Sequence, residues 1–494
     1  MRCRRSAAVP SIAFAAAALC CGAGATGAED ARRPIPFPAG YDFPADAAKL
    51  NSYVTNRDIA ALRRHAWFLW AGVNQPGRDG WPIWRSWYIP TQAFAQPIPK
   101  PKPGELAAAG AGAGMSLAAI NKKNNPPINL AIPVYLIPDA VRKKHEAALK
   151  GITDSSTIPD GENFQNNGDL MLVAEPYSEP AFRHIRGKHL YETLTLQKRL
   201  DEHKIDIQQF PRRSIVLKHM YWPVAKDKLT ALPLVDMSSY ATPANPDTTY
   251  VGFENMDRWK QAVAIDPTRE TIPQGETADV TYLYDVQHPS TNQPWGPNTY
   301  GKAKVVPLRD FYFKKLTRKD YEALSTYDQV LIDLSFYWVH KRPFQDGDYL
   351  VAVASHVVTK EMPSWTLQTF WWHDKPDAGD YAKDRPDIPQ AKGPWRHYLM
   401  TVEDGVLALT GGNSLPIAYN PYIELASHPV VTNCRNCHTR AAWPNGQYIQ
   451  SPGPDALADI KLDDPIFKGK VHTDILWTIP DRAKGLLAKQ PSAR

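Results

Sequence analysis

The chain has 494 residues, of which 43% are hydrophobic and 11% aromatic, and this composition can supply a large buried core. It excludes an intrinsically disordered protein, because disordered chains are poor in apolar residues. The formal net charge of +6 is small for this length, so the composition predicts no nucleic-acid-binding surface. The 45 prolines and 15 tryptophans favour many short elements joined by ordered loops.

The first residues are typical of a secretory signal peptide. Arg2, Arg4 and Arg5 precede an Ala-rich apolar run over residues 7–24, and small residues follow that run. We expect cleavage after Ala28, which removes three arginines and no acidic residue, so the formal charge falls from +6 to +3. An uncleaved membrane anchor is the alternative, but the run is short and Ala-rich, and Pro10 interrupts it. The sequence therefore predicts a periplasmic or secreted protein without a membrane span after signal cleavage.

Residues 29–96 are expected to form an N-terminal Trp-rich segment with one helix. The polar, Pro-rich stretch over 29–51 predicts an extended lead-in. Apolar residues recur at helical spacing over 57–72, which predicts the helix. Residues 97–125 are rich in Pro, Gly and Ala and lack the bulk to pack, so they predict a flexible loop.

Residues 126–405 are expected to form a β-rich body. Short runs rich in β-branched and aromatic residues, separated by Pro, Gly, Asp and Asn, predict strands. These runs are 130–137, 170–174, 214–221, 248–253, 280–286, 302–307, 329–340, 349–359, 364–373 and 395–402. Helices are expected at 139–149, 179–203 and 319–324. The pattern predicts an α+β, β-rich fold, with a large antiparallel sheet or sandwich-like body and a few helices.

The C-terminal region, residues 406–494, contains the motif with the clearest chemistry. Signal cleavage would leave two cysteines, Cys434 and Cys437, and His438 directly follows the second. Two thiols three residues apart can reach the two vinyl groups of one porphyrin, while the adjacent imidazole binds the iron. The spacing therefore predicts one covalent haem c with His438 as proximal iron ligand. A zinc site would need further ligands, and a redox-active dithiol usually begins a helix in a βαβ unit.

Residues 434–438 resemble the haem-attachment motif of the c-type cytochromes. The chain is also similar to large exported monohaem proteins in which an Asp-x-Leu-Trp-x-Ile-Pro run follows the motif, here residues 474–480. This chain differs from a small cytochrome c in two features. No methionine follows Met400, and prolines interrupt residues 414–431, so no long helix precedes the motif. The haem c segment is therefore expected to pack on the β-rich body and not to form a free-standing small cytochrome c domain.

Several side chains near the motif are candidates for the haem pocket. Trp443, Tyr448 and Trp477 are large aromatic residues of the kind that bury a porphyrin. His472 is the only histidine downstream of the motif and is the first candidate for the distal iron ligand. An empty distal position is the alternative. Folding could instead deliver one of four other residues, namely Met400, His397, His356 or His428.

Two classes of function are consistent with this motif. The first is electron transfer by an exported monohaem c-type cytochrome, whose partner would be a redox protein or a small-molecule substrate. The alternative is a haem c enzyme of the peroxidase or oxygenase kind, or a small-ligand-binding haem protein, using an open distal site. One-electron transfer requires much less protein than this chain contains, which keeps the alternative open. The sequence predicts no specific catalytic residue.

Overall fold

The computed structural model describes residues 34–77, 80–96, 136–166, 171–235, 259, 261–282, 298–406, 414–424, 433–444 and 457–485. All of these described residues belong to one compact unit. Several predictions concern residues outside the described part. These are the signal peptide at 1–28, the loop at 97–125, most of the strand at 130–137, the strand at 248–253, and the side chains of His428 and Tyr448.

The helices of the described part are mostly short. They are α1 (Ala47–Thr55), α2 (Ile59–Val73), α3 (Pro90–Ala93), α4 (Asp139–Lys144), α5 (Glu179–Gly187), α6 (Thr193–Asp201), α7 (Arg318–Glu322), α8 (Thr326–His340), α9 (Cys434–Thr439) and α10 (Thr478–Arg482). Only α2 and α8 reach 15 residues. None of the helices in the described ranges combines the length and apolar character that crossing a bilayer requires.

The twelve strands of the described part build two larger sheets and a two-stranded ribbon. They are β1 (Leu172–Ala174), β2 (Ile215–Val224), β3 (Thr230–Leu234), β4 (Gln261–Asp266), β5 (Thr277–Tyr282), β6 (Asn298–Pro307), β7 (Tyr312–Lys315), β8 (Tyr349–Thr359), β9 (Thr366–Trp372), β10 (Tyr398–Val402), β11 (Ala442–Trp443) and β12 (Val471–His472). The fold is therefore α+β with antiparallel and mixed sheets, as the sequence predicts.

A six-stranded antiparallel sheet is the centre of the fold. Five strands follow one another in the order β1-β2-β8-β9-β10. The sixth strand, β7, pairs with residues 349–352 of β8, and β9 pairs with residues 354–359 of the same strand. Side chains alternate between the two faces of a strand. Lys218, His356 and Thr369 are cross-strand neighbours and share one face, while His219 and Ser355 lie one position further along on the opposite face.

A second, four-stranded sheet has the order β3-β4-β6-β5, in which β4 and β6 are parallel and the other pairs antiparallel. The main hydrophobic core contains side chains of both sheets together with those of α2 and α8. Trp67, Trp70, Trp222 and Trp371 are buried in it. These indole side chains therefore form part of the packed interior of the body.

The C-terminal region packs on the β-rich body through a second hydrophobic core. Val216, Val358 and Leu367 contribute to it from the large sheet, and Trp443 and Ile475 contribute from the C-terminal region. This arrangement confirms that the segment containing the cysteines is attached to the body and is not a free-standing small domain.

Two predictions of local structure are wrong. Residues 329–340 form most of α8 and not a strand, because a continuous apolar run has the same appearance in a helix that is buried on all sides. The N-terminal segment contains more than one helix, since α1 precedes α2 and Asp46 caps it by accepting hydrogen bonds from Ala48 and Lys49.

Candidate functional site

Helix α9 contains the two cysteines and begins at a buried cap. The side-chain oxygen of Asn433 accepts a hydrogen bond from the backbone N–H of Asn436 at 3.0 Å. The amide nitrogen of Asn433 donates to the carboxyl group of Glu403 at 2.8 Å and to the carbonyl of Pro416 at 2.7 Å. Burial raises the pKa of Glu403 to about 8. The start of the helix is thus held to the body by a buried polar network.

Cys434, Cys437 and His438 lie on one face of α9, because residues three and four apart on a helix are neighbours. All three are half-buried, and the two sulfurs are not joined in a disulfide. The Cys434 thiol points to the carbonyl of Ala418 at 3.4 Å, and burial raises its pKa well above the usual value. Both cysteines are therefore thiols on the face that also carries the imidazole.

The imidazole of His438 is oriented by a backbone carbonyl. Its Nδ1–H donates to the oxygen of Ile475 at 2.9 Å, so Nε2 is the nitrogen left with a lone pair. Burial lowers the pKa of His438 to about 4, and the ring is neutral at neutral pH. Histidines that bind metals characteristically have one nitrogen held in this way. Nε2 of His438 is therefore the nitrogen that could bind a metal ion.

Two of the predicted pocket aromatics lie close to this motif. The indole Nε1–H of Trp477 donates to the carbonyl of Cys437 at 3.2 Å. Trp443 is buried in the second hydrophobic core, against which Cys434 also packs. The structure therefore brings Trp477 and Trp443 to the cysteines, while Tyr448 lies outside the described residues.

His356 of the large sheet faces the motif. Its ring centre lies 6.5 Å from that of His438, and the two ring planes are nearly perpendicular, at 89°. The Nε2–H of His356 donates to Oε1 of Glu424 at 2.6 Å. The other carboxylate oxygen of Glu424 accepts a hydrogen bond from the backbone N–H of Asn420, whose side chain is bonded to Thr369. Glu424 was not predicted, since no local pattern marks it.

His472, the first candidate for the distal ligand, lies elsewhere. It pairs with Ala442 in the β11–β12 ribbon and is buried. Its ring nitrogens make no hydrogen bond of normal length with any described residue, and burial lowers its pKa to about 4. It precedes Ile475, whose carbonyl accepts from Nδ1 of His438, by three residues. Among the described residues, the imidazole ring next to that of His438 is therefore that of His356 and not that of His472.

The other candidate ligands in the described part are also remote from the motif. Met400 is fully buried in the main core and pairs with Phe370. His397 lies 3.7 Å from the carboxylate of Asp310. Neither makes a described contact with α9.

A cavity of about 540 Å³ adjoins the other side of α9. Arg435 and Thr439 of α9 line it together with His472, and Lys360 and Asp474 form part of its wall. Cys434, Cys437 and His438 do not line this cavity. It is therefore a separate space next to the cysteine face, of a size that a small organic molecule could fill.

Comparisons with known proteins identify no relative of this chain, so the interpretation of the site rests on its geometry. The chain matches no family model, no curated protein and no solved structure. The described residues fit a haem c on three counts. The thiols and the imidazole share one face, Nδ1 of His438 is held while Nε2 is not, and a hydrophobic core with aromatic side chains adjoins the thiols.

Proposed function

We propose that this protein binds one haem c through thioether bonds to Cys434 and Cys437, with His438 as proximal iron ligand, and takes part in electron transfer outside the cytoplasm. The observation that carries the proposal is the hydrogen bond from Nδ1 of His438 to Ile475, on the same helical face as both thiols. A zinc site would need further protein ligands, and a catalytic dithiol would not need the oriented imidazole.

The residues around the motif would have distinct roles. The carbonyl of Ile475 fixes the tautomer of His438 and increases the basicity of Nε2. Trp477 holds the backbone at Cys437, and the second hydrophobic core excludes water on the side of Cys434. When bound, haem would supply one-electron chemistry between Fe(III) and Fe(II).

The site also suggests what kind of partner the protein has. Cys434, Cys437 and His438 remain half-buried, so the attachment face is not sealed within the described part of the body. Electron transfer requires that the edge of the cofactor come close to a donor or acceptor. We therefore propose that a redox partner protein or a small-molecule reductant or oxidant approaches at this face.

Redox titration of the purified exported protein tests electron transfer. We expect one reversible one-electron transition, with optical bands of low-spin haem in both oxidation states and no change with carbon monoxide. The absence of a reversible transition in protein that contains haem would contradict the electron-transfer role.

A haem enzyme is the second candidate function, and the cavity beside α9 favours it. Its volume lies within the range of about 300–1,000 Å³ that is usual for small-molecule sites. In this case the iron would bind carbon monoxide or peroxide, and the optical spectrum would shift when they are added. The same titration therefore separates a carrier from an enzyme with an open distal position.

A further inference from the structure

We propose that His356 is the second axial ligand of the haem iron, binding through Nδ1, and that Glu424 positions it. The inference rests on the proposed haem c and names the residue that occupies the position opposite His438. No described residue other than His356 places an imidazole ring against the ring of His438. The pair joins a strand of the large sheet to the helix that contains the cysteines.

The distance between the two rings agrees with a shared metal ion. A metal–imidazole bond is about 2 Å long, so two imidazole nitrogens on opposite sides of one ion are about 4 Å apart. Adding the offset from each nitrogen to its ring centre brings the two centres to about 6 Å. The observed separation of the ring centres is 6.5 Å, with the planes at 89°. This separation is close to the distance expected for one ion between the rings, and it also lies within the range of a direct edge-to-face contact.

The hydrogen bonds of the two histidines follow the same pattern. In His438 the oxygen of Ile475 accepts from Nδ1, and in His356 the carboxylate of Glu424 accepts from Nε2. The remaining nitrogen of each ring, Nε2 of His438 and Nδ1 of His356, makes no hydrogen bond with a described residue. A ligating histidine usually donates its other N–H to a carboxylate or a carbonyl. Both rings have this second contact in place.

The sheet makes His356 a rigid ligand. It lies in the middle of β8, between Lys218 of β2 and Thr369 of β9, and is 9% exposed. Glu424 is itself fixed by the backbone N–H of Asn420. A ligand on a central strand is held more precisely than one on a loop. The large body of the protein would therefore contribute the distal half of the iron site.

Replacement of His356 tests the proposal, with His472→Ala as the matched control. In His356→Ala the ferric haem should lose its low-spin electron paramagnetic resonance signal and become high-spin, and the ferrous form should bind carbon monoxide. His472→Ala should keep the low-spin signal.

The reduction potential gives a second test. In His356→Met a thioether replaces an imidazole as the ligand, and the reduction potential of the haem should rise. Glu424→Gln should also raise it, because an amide makes the imidazole less basic than a carboxylate does.

The haem content of each variant, measured as the pyridine haemochrome, separates the possible failures. Wild-type protein without covalent haem would overturn both the proposed function and this inference. Protein with normal haem content in which His356→Ala remains low-spin, or in which His472→Ala becomes high-spin, would overturn the inference alone. If His356→Ala does not fold, a potential in His356→Met equal to that of the wild type overturns it.

Discussion

At the scale of single residues, the ion pair between Lys360 and Asp474 joins the C-terminal region to the large sheet. Lys360 directly follows β8, and its Nζ lies 2.7 Å from Oδ1 of Asp474, with both side chains buried. The other oxygen of Asp474 accepts a hydrogen bond from the backbone N–H of Phe210. Burial lowers the pKa of Lys360, and the charge of Asp474 offsets part of this effect. Removing either partner would leave the other charge buried without a counter-charge.

Lys360→Met should lower the free energy of unfolding by about 3–5 kcal/mol, because it leaves the carboxylate of Asp474 buried without a counter-charge. Arg183→Met is the control, since it removes an exposed ion pair with Glu179 and should leave the free energy nearly unchanged. Denaturant unfolding followed by circular dichroism measures both. Equal changes in the free energy of unfolding for the two substitutions would show that the buried pair stabilises the protein no more than the exposed pair does.

The sequence predicts the site only where its residues are close along the chain. The spacing of Cys434, Cys437 and His438 is enough to predict a shared helical face. Trp477 is distant in sequence and is predicted only as a large aromatic residue downstream of the motif; folding brings its indole to the carbonyl of Cys437. Glu424 and the carbonyl of Ile475 reach the two histidines only in the folded chain. His356 is one histidine among several in strands, and nothing in its neighbours distinguishes it. The preference for His356 over His472 therefore needs the three-dimensional structure.

At the scale of secondary-structure elements, the start of α8 anchors a loop of the body. The carboxylate of Asp328 is buried and accepts backbone N–H groups of Asn163 at 3.0 Å and Phe164 at 2.9 Å. Gly161 passes directly over this carboxylate. A Cβ at position 161 would overlap with it and would lie 2.8 Å from the backbone nitrogen of Asp328. The loop can approach the helix this closely only because residue 161 has no side chain.

Gly161→Ala should therefore destabilise the protein by about 1–3 kcal/mol, the usual cost of overpacking. Gly187→Ala is the matched control, because a Cβ at the end of α5 meets no atom within 4 Å. The control should be neutral or slightly stabilising, since alanine is a better helix former than glycine. Thermal unfolding of the two variants would refute the argument if Gly161→Ala were as stable as Gly187→Ala.

The accuracy of the predicted elements depends on what each segment packs against. The prediction of a strand at 349–359 matches β8, whose β-branched residues are typical of a central strand. The strand predicted at 329–340 is helix α8, because burial on all sides removes the amphipathic period that identifies a helix. β3 was missed because it contains Pro233, which an edge strand such as β3 tolerates.

At the scale of the whole molecule, a charged network centred on the buried His65 and Glu361 links the N-terminal segment to the end of the large sheet. His65 of α2 lies 3.0 Å from Glu361 and 3.6 Å from Asp42. Burial opposes protonation, but the two carboxylates outweigh it and raise the pKa of His65 to about 9. The folded protein therefore binds this proton more tightly than the unfolded chain, in which histidine has a pKa of about 6.5.

This difference makes stability depend on pH. The contribution of His65 is fully present below about pH 6.5 and is lost as the pH rises through about 9. We expect the free energy of unfolding of the wild type to fall between these values, and to fall less steeply in His65→Gln. His189→Gln, which changes an exposed histidine, should keep the slope of the wild type. Unfolding in urea at several pH values tests this, and an unchanged slope in His65→Gln would contradict it.

The most direct test of the central claim is the intact mass of the exported protein under denaturing conditions, after production with a haem c maturation system. The account predicts one covalent haem per chain, retained in the control Arg435→Lys, which changes only a residue between the cysteines. Cys434→Ala and Cys437→Ala should each lose one thioether bond, and the double variant should contain no covalent haem. A wild-type chain whose mass equals that of the mature polypeptide alone would contradict the account.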